Sequence, residues 1–318
     1  MNICFVNSCV LLAVVAIPST VIWAMVVFWT VFAIGIATIF LSGDWQRTRG
    51  LDKLTLFGAA FYAAPVAAFG TEHFTLTPVI ASIIPAWIPW HVFWAYLVGA
   101  CFITAGFSLV SRIQWRLAAS LLALTFVAFV VLMDLPGWLR NPRDRVGLAL
   151  VLRELSFCAG PLALATSLSE QGRATHILRT IARFLIAVTV LFYSVEQFLH
   201  ADHVPGVPLE RITPTWIYGH TFWTYFAAVV YAVAGIPLLL GKKTRVTATW
   251  IGLAVLVVEL FVYAPIGVVD RASLDLGFNY WADTLMYCGA VLLLASALPR
   301  KEEPSSAAIR SSDMAHSV

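Results

Sequence analysis

The chain has 318 residues, of which 60% are hydrophobic and 12% are charged, and its formal net charge is +3. A water-soluble globule cannot bury that much apolar surface, so the composition excludes a soluble protein and predicts an integral membrane protein in contact with membrane lipid. The small positive charge indicates no nucleic-acid partner.

Predicted transmembrane helices follow one another along the chain. Crossing about 30 Å of hydrocarbon takes about 20 helical residues, and a helix pairs its backbone amides within one segment. Apolar runs of that length lie at approximately residues 10–41, 53–70, 91–110, 117–134, 147–167, 181–200, 218–240, 246–264 and 278–298. The first run contains Pro18 and is too long for one straight crossing. The pattern predicts an all-α polytopic transmembrane helical bundle.

The positive charges predict the orientation of these helices. Lysine and arginine concentrate in alternate loops, in residues 47–53, 112–116, 173–183, 242–245 and 300–310. Because cytoplasmic loops carry the excess of these residues, we expect these loops and the C-terminus to be cytoplasmic. Arg140, Arg143 and Arg145 run against the rule, since they lie in a loop on the predicted outer side.

A twelve-residue pattern, Pro-x-Trp-Ile-x-x-His-x-Phe-Trp-x-Tyr, occurs twice, beginning at Pro85 and at Pro214. The same offset relates Glu154 to Asp283, so the match extends beyond the pattern and predicts an internal duplication. Each unit contains an even number of helices and therefore returns to its starting side, which predicts two parallel units. The predicted organisation is an N-terminal transmembrane helix and loop (1–52), a first four-helix unit (53–168), a cytoplasmic linker (169–180), a second four-helix unit (181–298) and a disordered cytoplasmic tail (299–318).

Ionisable residues inside the predicted helices are the candidate functional groups, because charges in hydrocarbon are costly and usually face a bundle interior or a cavity. The first unit contributes Glu72, His91, Arg153 and Glu154. Its arginine can neutralise a carboxylate, so we interpret this set as structural. The second unit contributes Glu196, His200, His220, Glu259 and Asp283, together with Trp223. Ala282 and Val130 occupy the places equivalent to Arg153 and Glu259 in the other unit.

The second unit thus has acids with no intramembrane cation other than histidine, and we predict that it binds a ligand or exchanges protons. A small polar or quinone-type ligand would enter from the bilayer, lie against Trp223, Phe222 and Tyr225, and accept a hydrogen bond from His220.

Two alternatives to a ligand site stay open. Cross-helix hydrogen bonds of about 1 kcal/mol can serve packing alone. His200 and His203 are spaced for one metal ion on a helix, but the following Ala-Asp and Pro-Gly pairs indicate that the helix ends there, so no metal site is predicted. No Cys-x-x-Cys pair, nucleotide-binding loop or serine-nucleophile elbow occurs, and no catalytic residue is assigned.

Several segments resemble the DoxX family of four-helix membrane proteins. They are Phe57-Gly-Ala-Ala-Phe-x-Ala-Ala-Pro-x-Ala-Ala-Phe-Gly-x-Glu-His-Phe74, Trp87-Ile-Pro, Arg116-Leu-Ala-Ala, Asn141-Pro-x-Asp-Arg and Leu152-Arg-Glu-Leu-x-Phe. The resemblance covers residues 53–167 and extends more loosely over 181–298. This chain departs from the family pattern in its tandem copy, its additional leading helix and the loss of the Arg-Glu pair from the second copy.

Proteins similar to DoxX include small subunits of quinone-linked sulfur oxidoreductases in prokaryotic membranes. The resemblance therefore implies a bacterial inner-membrane location, a redox partner subunit and a quinone as a candidate cofactor. We expect a redox-associated subunit that binds a quinone or a small polar ligand near the outer side of the membrane. The alternatives are a proton-coupled small-solute transporter and a structural or assembly protein without a catalytic site.

Overall fold

The computed structural model describes residues 19–205, 211–269 and 274–299. Within these ranges the regular structure is helical, apart from one isolated bridge between His203 and Ile212. The start of the first predicted run, with Pro18, and the tail from Arg300 onward lie outside the described residues.

The helices follow in this order: α1 Ser19–Leu41, α2 Asp44–Arg47, α3 Asp52–Thr55, α4 Gly58–Thr75, α5 Thr77–Ile83, α6 His91–Ser111, α7 Trp115–Phe129, π1 Val130–Asp134, α8 Leu135–Arg140, α9 Arg145–Ser167, α10 Arg173–Leu199, α11 His220–Leu239, α12 Thr244–Val258, π2 Glu259–Tyr263, α13 Ala264–Val269 and α14 Leu274–Ala297. Here π1 and π2 are short π-helical turns inside longer helices. Across the described ranges, nine helical segments are long and apolar enough to cross a membrane. The chain is a multi-pass, all-α helical bundle, as predicted.

Two helices extend beyond their predicted ends. Helix α10 begins at Arg173 rather than near residue 181, because Thr175 accepts a hydrogen bond from the backbone amide of Gly172 and stabilises a polar first turn. The helix that carries Glu259 continues through π2 and α13 to Val269, so Glu259 lies deeper than an end near residue 264 implied.

The centre of the bundle consists of the long helices α4, α9, α10 and α14. Helix α9 packs against α14, while α4 packs against α14 and α10 packs against α9. Helices α6 and α7 complete one side, α11 and α12 complete the other, and α1 covers α4 and α6. The crossings require glycine: a Cβ on Gly160 would lie 2.5 Å from the Cα of Ala290, and one on Gly289 would lie 2.4 Å from the backbone nitrogen of Tyr62. Small residues at such contacts let transmembrane helices approach closely.

Element boundaries recur at the spacing of the repeated sequence pattern. Helices α6 and α11 begin at His91 and His220, and α7 and α12 begin at Trp115 and Thr244. The π-turns recur at the same spacing, and so do residues with left-handed backbone conformation: Trp90 and Gly219, Arg112 and Gly241, Gln114 and Lys243. We call α4 to α9 and α10 to α14 the two halves. Their helices begin at one constant spacing from α6 and α11 onward, whereas α10, with 27 residues, is longer than α4, with 18.

One end of the bundle, which we call the basic end, uses arginines to close helix C-termini. Arg245 donates to Asp52 at 3.0 Å and to the carbonyl oxygens of Ala295, Ser296 and Leu298 at 3.0–3.1 Å. Carbonyl oxygens at a helix C-terminus lack helical partners and carry partial negative charge, so a guanidinium stabilises them. Arg183 donates to the last carbonyls of α11 in the same way. The opposite end, where His91 and His220 lie, is called the histidine end.

Replacing Arg245 with alanine is expected to lower the free energy of unfolding by about 3 kcal/mol, because a nearly buried charge pair is broken and α14 loses its C-terminal donor. Arg116 occupies the equivalent second position of α7 and is exposed, so Arg116→Ala should stay within about 0.5 kcal/mol of wild type. Unfolding of the purified protein in mixed micelles, followed by circular dichroism, measures both. Equal effects of the two substitutions would contradict the capping interpretation.

Candidate functional site

Arg153 joins the two halves of the bundle. From the middle of α9 its guanidinium donates to Glu154 at 3.1 Å and to Asp283, on α14, at 2.9 Å. Asp134, at the end of π1, also lies within electrostatic range of Arg153. These four residues, Asp134, Arg153, Glu154 and Asp283, form the Arg153 cluster, in which three carboxyl groups surround one guanidinium.

A second set of ion pairs crosses between the halves at the histidine end. Arg145, the first residue of α9, donates to Glu196 of α10 at 3.1 Å, and His200 lies 3.7 Å from the same carboxylate oxygen. His203 donates through Nδ1 to Asp202 at 2.8 Å, and this hydrogen bond holds the pKa of Asp202 below its ordinary value. The Nε2 atom of His203 faces Arg145 at 3.5 Å.

These contacts correct one prediction from the sequence. The acids of the second half were expected to have no intramembrane cation other than histidine, and this is wrong for Glu196 and Asp283. Both are neutralised by arginines of α9, which belongs to the other half. The predicted pair of Arg153 with Glu154 is present, and it extends across the contact between the halves. Glu196 and Asp283 therefore hold the halves together.

Glu259 differs from the other acids, because its side chain is buried without a partner. The residue is 2% exposed, and neither carboxylate oxygen has a hydrogen-bond partner among the described residues. It is the first residue of π2 and faces the interior of the second half. An orphaned acid at this depth is a strong indication of function, since such groups are otherwise excluded from transmembrane cores.

Four buried tyrosines lie in the interior of the second half, where Glu259 also lies, on three neighbouring elements and on π2 itself. They are Tyr193 on α10, Tyr231 on α11, Tyr263 on π2 and Tyr287 on α14. Tyr263 lies within electrostatic range of Glu259, Tyr231 and Tyr193, and the rings of Tyr193 and Tyr287 are 5.9 Å apart. Glu259 and these tyrosines are called the Glu259 site.

Several polar atoms of this interior have no hydrogen-bond partner in the part of the chain that the structure describes. They are the hydroxyl oxygens of Tyr231 and Tyr287 and both amide atoms of Gln197, which follows Tyr193 by one helical turn. Tyr263 instead hydrogen-bonds to Thr284, and Tyr193 donates to the carbonyl oxygen of Ala149 at 3.2 Å. Each unpartnered buried group lowers the free energy of unfolding by about 1–3 kcal/mol. These groups therefore destabilise the fold unless another molecule hydrogen-bonds to them.

Two equivalent positions in the first half carry apolar side chains instead. Val130 replaces Glu259, and Phe102 replaces Tyr231 at the same spacing. Phe102 stacks on Phe126 at 5.6 Å, and Phe126 contacts Phe157 at 5.7 Å. The two halves therefore differ at these interior positions, and the polar side chains are in the second half.

The remaining predicted residues lie closer to the surface. His220, the first residue of α11, lines a surface pocket with Asp202 and Thr213. The Trp223 ring stacks on Phe261 of π2 at 5.1 Å, and its indole nitrogen donates to the carbonyl oxygen of Tyr218. Phe222 and Tyr225 are exposed on the outside of the bundle, as a lipid-facing surface requires: 60% and 46% of each residue is accessible.

Two residues of the first half, Glu72 and His91, complete the predicted set. Both are partly exposed, Glu72 near the end of α4 and His91 at the start of α6. His200 also lies at a helix end, since α10 stops at Leu199. The predicted residues of the second half thus do not converge on one centre: His200 and Glu196 belong to the histidine-end ion pairs, Asp283 belongs to the Arg153 cluster, and Glu259 belongs to the tyrosines.

Sequence reasoning missed Asp134 and the four tyrosines. Asp134 lies directly before Leu-Pro and looked like the end of an apolar run. The tyrosines were counted with the apolar residues that fill a helix. A position-by-position comparison of the halves finds most of them, because Tyr231, Tyr263 and Tyr287 align with Phe102, Asp134 and Cys158.

A bare carboxylate is unfavourable at the position of Glu259. Keeping a glutamic acid protonated at neutral pH costs about 3–4 kcal/mol, whereas an isolated carboxylate moved into a medium of low dielectric constant has an idealised cost of order 20 kcal/mol. After the protein relaxes and water penetrates, the cost of burying the carboxylate is still several kcal/mol. A carboxylic acid or a carboxylate with a bound cation therefore satisfies this position better than a bare charge.

Comparison with protein-family models gives no match, and comparisons with curated proteins and with solved structures give none either. The site is therefore interpreted from its own geometry.

The ion pair of Arg153 with Asp283 is expected to couple the halves by about 1–3 kcal/mol in a double-mutant cycle of Arg153→Met and Asp283→Asn, because both side chains are largely buried. The exposed pair of Arg112 with Asp44 is the control, and its coupling should be about 0–1 kcal/mol. Unfolding free energies from titration with a denaturing detergent supply both cycles. Equal coupling in the two cycles would show that Arg153 does not bind the halves together.

Proposed function

We propose that the protein is a DoxX-like membrane protein built by internal duplication, whose second half binds a quinone or a small polar ligand in the Glu259 site. The observation that supports this most directly is the unpartnered carboxyl group of Glu259 among tyrosine hydroxyls, in a place that the first half fills with valine and phenylalanine. In this proposal the chain is a redox-associated subunit of a bacterial inner membrane, and its C-terminus is cytoplasmic.

The side chains of the Glu259 site match a quinone head group in chemistry. A quinone presents two carbonyl oxygens that accept hydrogen bonds, and the free hydroxyl groups of Tyr231 and Tyr287 are donors. Tyrosine rings also suit the faces of a flat conjugated ring. A bound quinone would supply the capacity to accept electrons, which the side chains of this chain do not offer.

The seam between α11 and α12 is the proposed entrance from lipid. Trp223 on α11 stacks on Phe261 of π2, and Phe261 is exposed on the same turn that directs Glu259 inward. Displacing this one aromatic pair would open the seam beside the site. Glu259 lies ten residues before the end of α13, or about 15 Å below the histidine end, which places the ligand near the middle of the bilayer.

A proton-coupled small-solute transporter is the second candidate, and the Arg153 cluster favours it. Three carboxyl groups share one guanidinium at the contact between the halves, so proton binding there would change the charge that holds the halves together. Two parallel halves with their acids at the contact also fit a transporter.

Replacing Tyr231 with phenylalanine is expected to weaken quinone binding about tenfold, since one hydrogen bond to the ligand is worth about 1.4 kcal/mol. It should leave the stability of the ligand-free protein unchanged, because the hydroxyl has no partner in the described structure. Titration of the protein in lipid nanodiscs with a short-tailed ubiquinone analogue measures the affinity.

Tyr62→Phe is the matched control. Tyr62 is buried in the first half and donates to the carbonyl oxygen of Phe157 at 2.7 Å. Its replacement should lower stability by about 1 kcal/mol and leave quinone affinity unchanged. Absence of binding to the wild-type protein, or equal loss of affinity in the two variants, would refute the proposed ligand site.

A further inference from the structure

The chemical state of Glu259 defines the class of ligand that the site takes. Resting on the proposed function, we propose that Glu259 is a carboxylic acid that donates a hydrogen bond to a neutral, carbonyl-bearing head group, and that the site rejects cationic ligands. Glu259 then donates one of the hydrogen bonds that bind the ligand and does not act as a counter-ion.

The first support is the arrangement of charge around the site. The two arginines of α9 that reach the interior are engaged elsewhere, Arg145 by Glu196 and Arg153 by Glu154 and Asp283. Two described titratable groups lie within electrostatic range of Glu259, Tyr263 from its own turn and Cys288 from α14, and both are uncharged in their ordinary state. Nothing positive among them stabilises a carboxylate.

The second support is the supply of donors. Tyr231 and Tyr287 each keep a free hydroxyl, whereas Cys288 donates its thiol to the carbonyl oxygen of Gly252 at 3.3 Å and is satisfied. A protonated Glu259 adds a third free donor to these two hydroxyl groups. A ligand with two or more carbonyl oxygens accepts hydrogen bonds from such donors, while an ammonium ion, which can only donate, leaves their hydrogens unpaired.

The third support is the local backbone. Glu259 begins π2, and Pro265 follows two residues after the turn. The π-turn directs the side chain of Glu259 into the bundle, while Phe261, two residues later, is exposed on the lipid-facing surface. π-turns within α-helices are frequent at functional sites, because the additional residue redirects one side chain without ending the helix.

Infrared difference spectroscopy tests the protonation state directly. The spectrum of wild-type protein in nanodiscs minus that of Glu259→Gln should contain the carbonyl stretch of a carboxylic acid, and addition of the ubiquinone analogue should shift that band to lower frequency. A difference spectrum with carboxylate bands instead would overturn the inference. If Glu259→Gln does not fold, Glu259→Asp serves in its place, because the shorter acid keeps the proton but moves the band.

Binding measurements on two variants separate the ligand classes. Glutamine keeps a donor, so Glu259→Gln should retain affinity for the quinone analogue within about threefold, while Glu259→Ala should lose about tenfold. Equal losses in both variants, or binding of a hydrophobic alkylammonium ion that requires Glu259, would overturn the neutral-ligand inference.

The proposed function and this inference can fail separately. A wild-type protein that shows the acid band but binds no quinone disproves the proposed ligand and leaves the neutral acid in place. Quinone binding that does not move the band disproves the hydrogen bond from Glu259 and leaves the ligand site in place.

Discussion

Hydrocarbon offers no water to polar groups, so the architecture depends on how Arg153 neutralises acids from both halves. Its guanidinium reaches Glu154 on its own helix and Asp283 on α14, at the central contact of the bundle. Glu154 and Asp283 are equivalent positions of the repeated pattern, yet only one half retains the arginine. Without the first half, Asp283 would lose the cation that neutralises it, and this favours the packing of α9 against α14.

Asp283 and Glu196 are neutralised by the opposite half, whereas both carboxyl oxygens of Glu259 lack a partner in the described core. The contrast with the first half is informative because the helices from α6 and α11 onward begin at one constant spacing. Where backbone and spacing agree, a difference in side chains reflects what the interior contains: phenylalanine rings fill one interior, and tyrosines with a glutamate line the other. At these positions a requirement of packing alone would favour phenylalanine, since its ring has no polar atom that needs a partner.

Hydropathy predicted the all-α bundle, because a membrane permits few other structures and helix length follows from bilayer thickness. The spacing of the repeated pattern also anticipated where α6, α7, α11 and α12 begin. The ion pairs were not predictable in the same way. Arg145 and Arg153 bind acids on helices that are distant in sequence, and a single sequence does not say which helices become neighbours. The depth of Glu259 was misjudged for another reason: hydropathy ended its helix near residue 264, whereas π2 and α13 continue it to Val269.

Both π-turns occupy the same place in their halves, five residues at 130–134 and five at 259–263. A π-turn is equivalent to one residue inserted into an α-helix, so it changes the phase of everything that follows by about 100°. Helices α8 and α13 therefore present a different face to the bundle from the one that they would present if α7 and α12 continued as unbroken α-helices. Removing one residue from π2 would restore an unbroken α-helix. The deletion would rotate α13 away from α14 and leave the packing of α12 in the core unchanged.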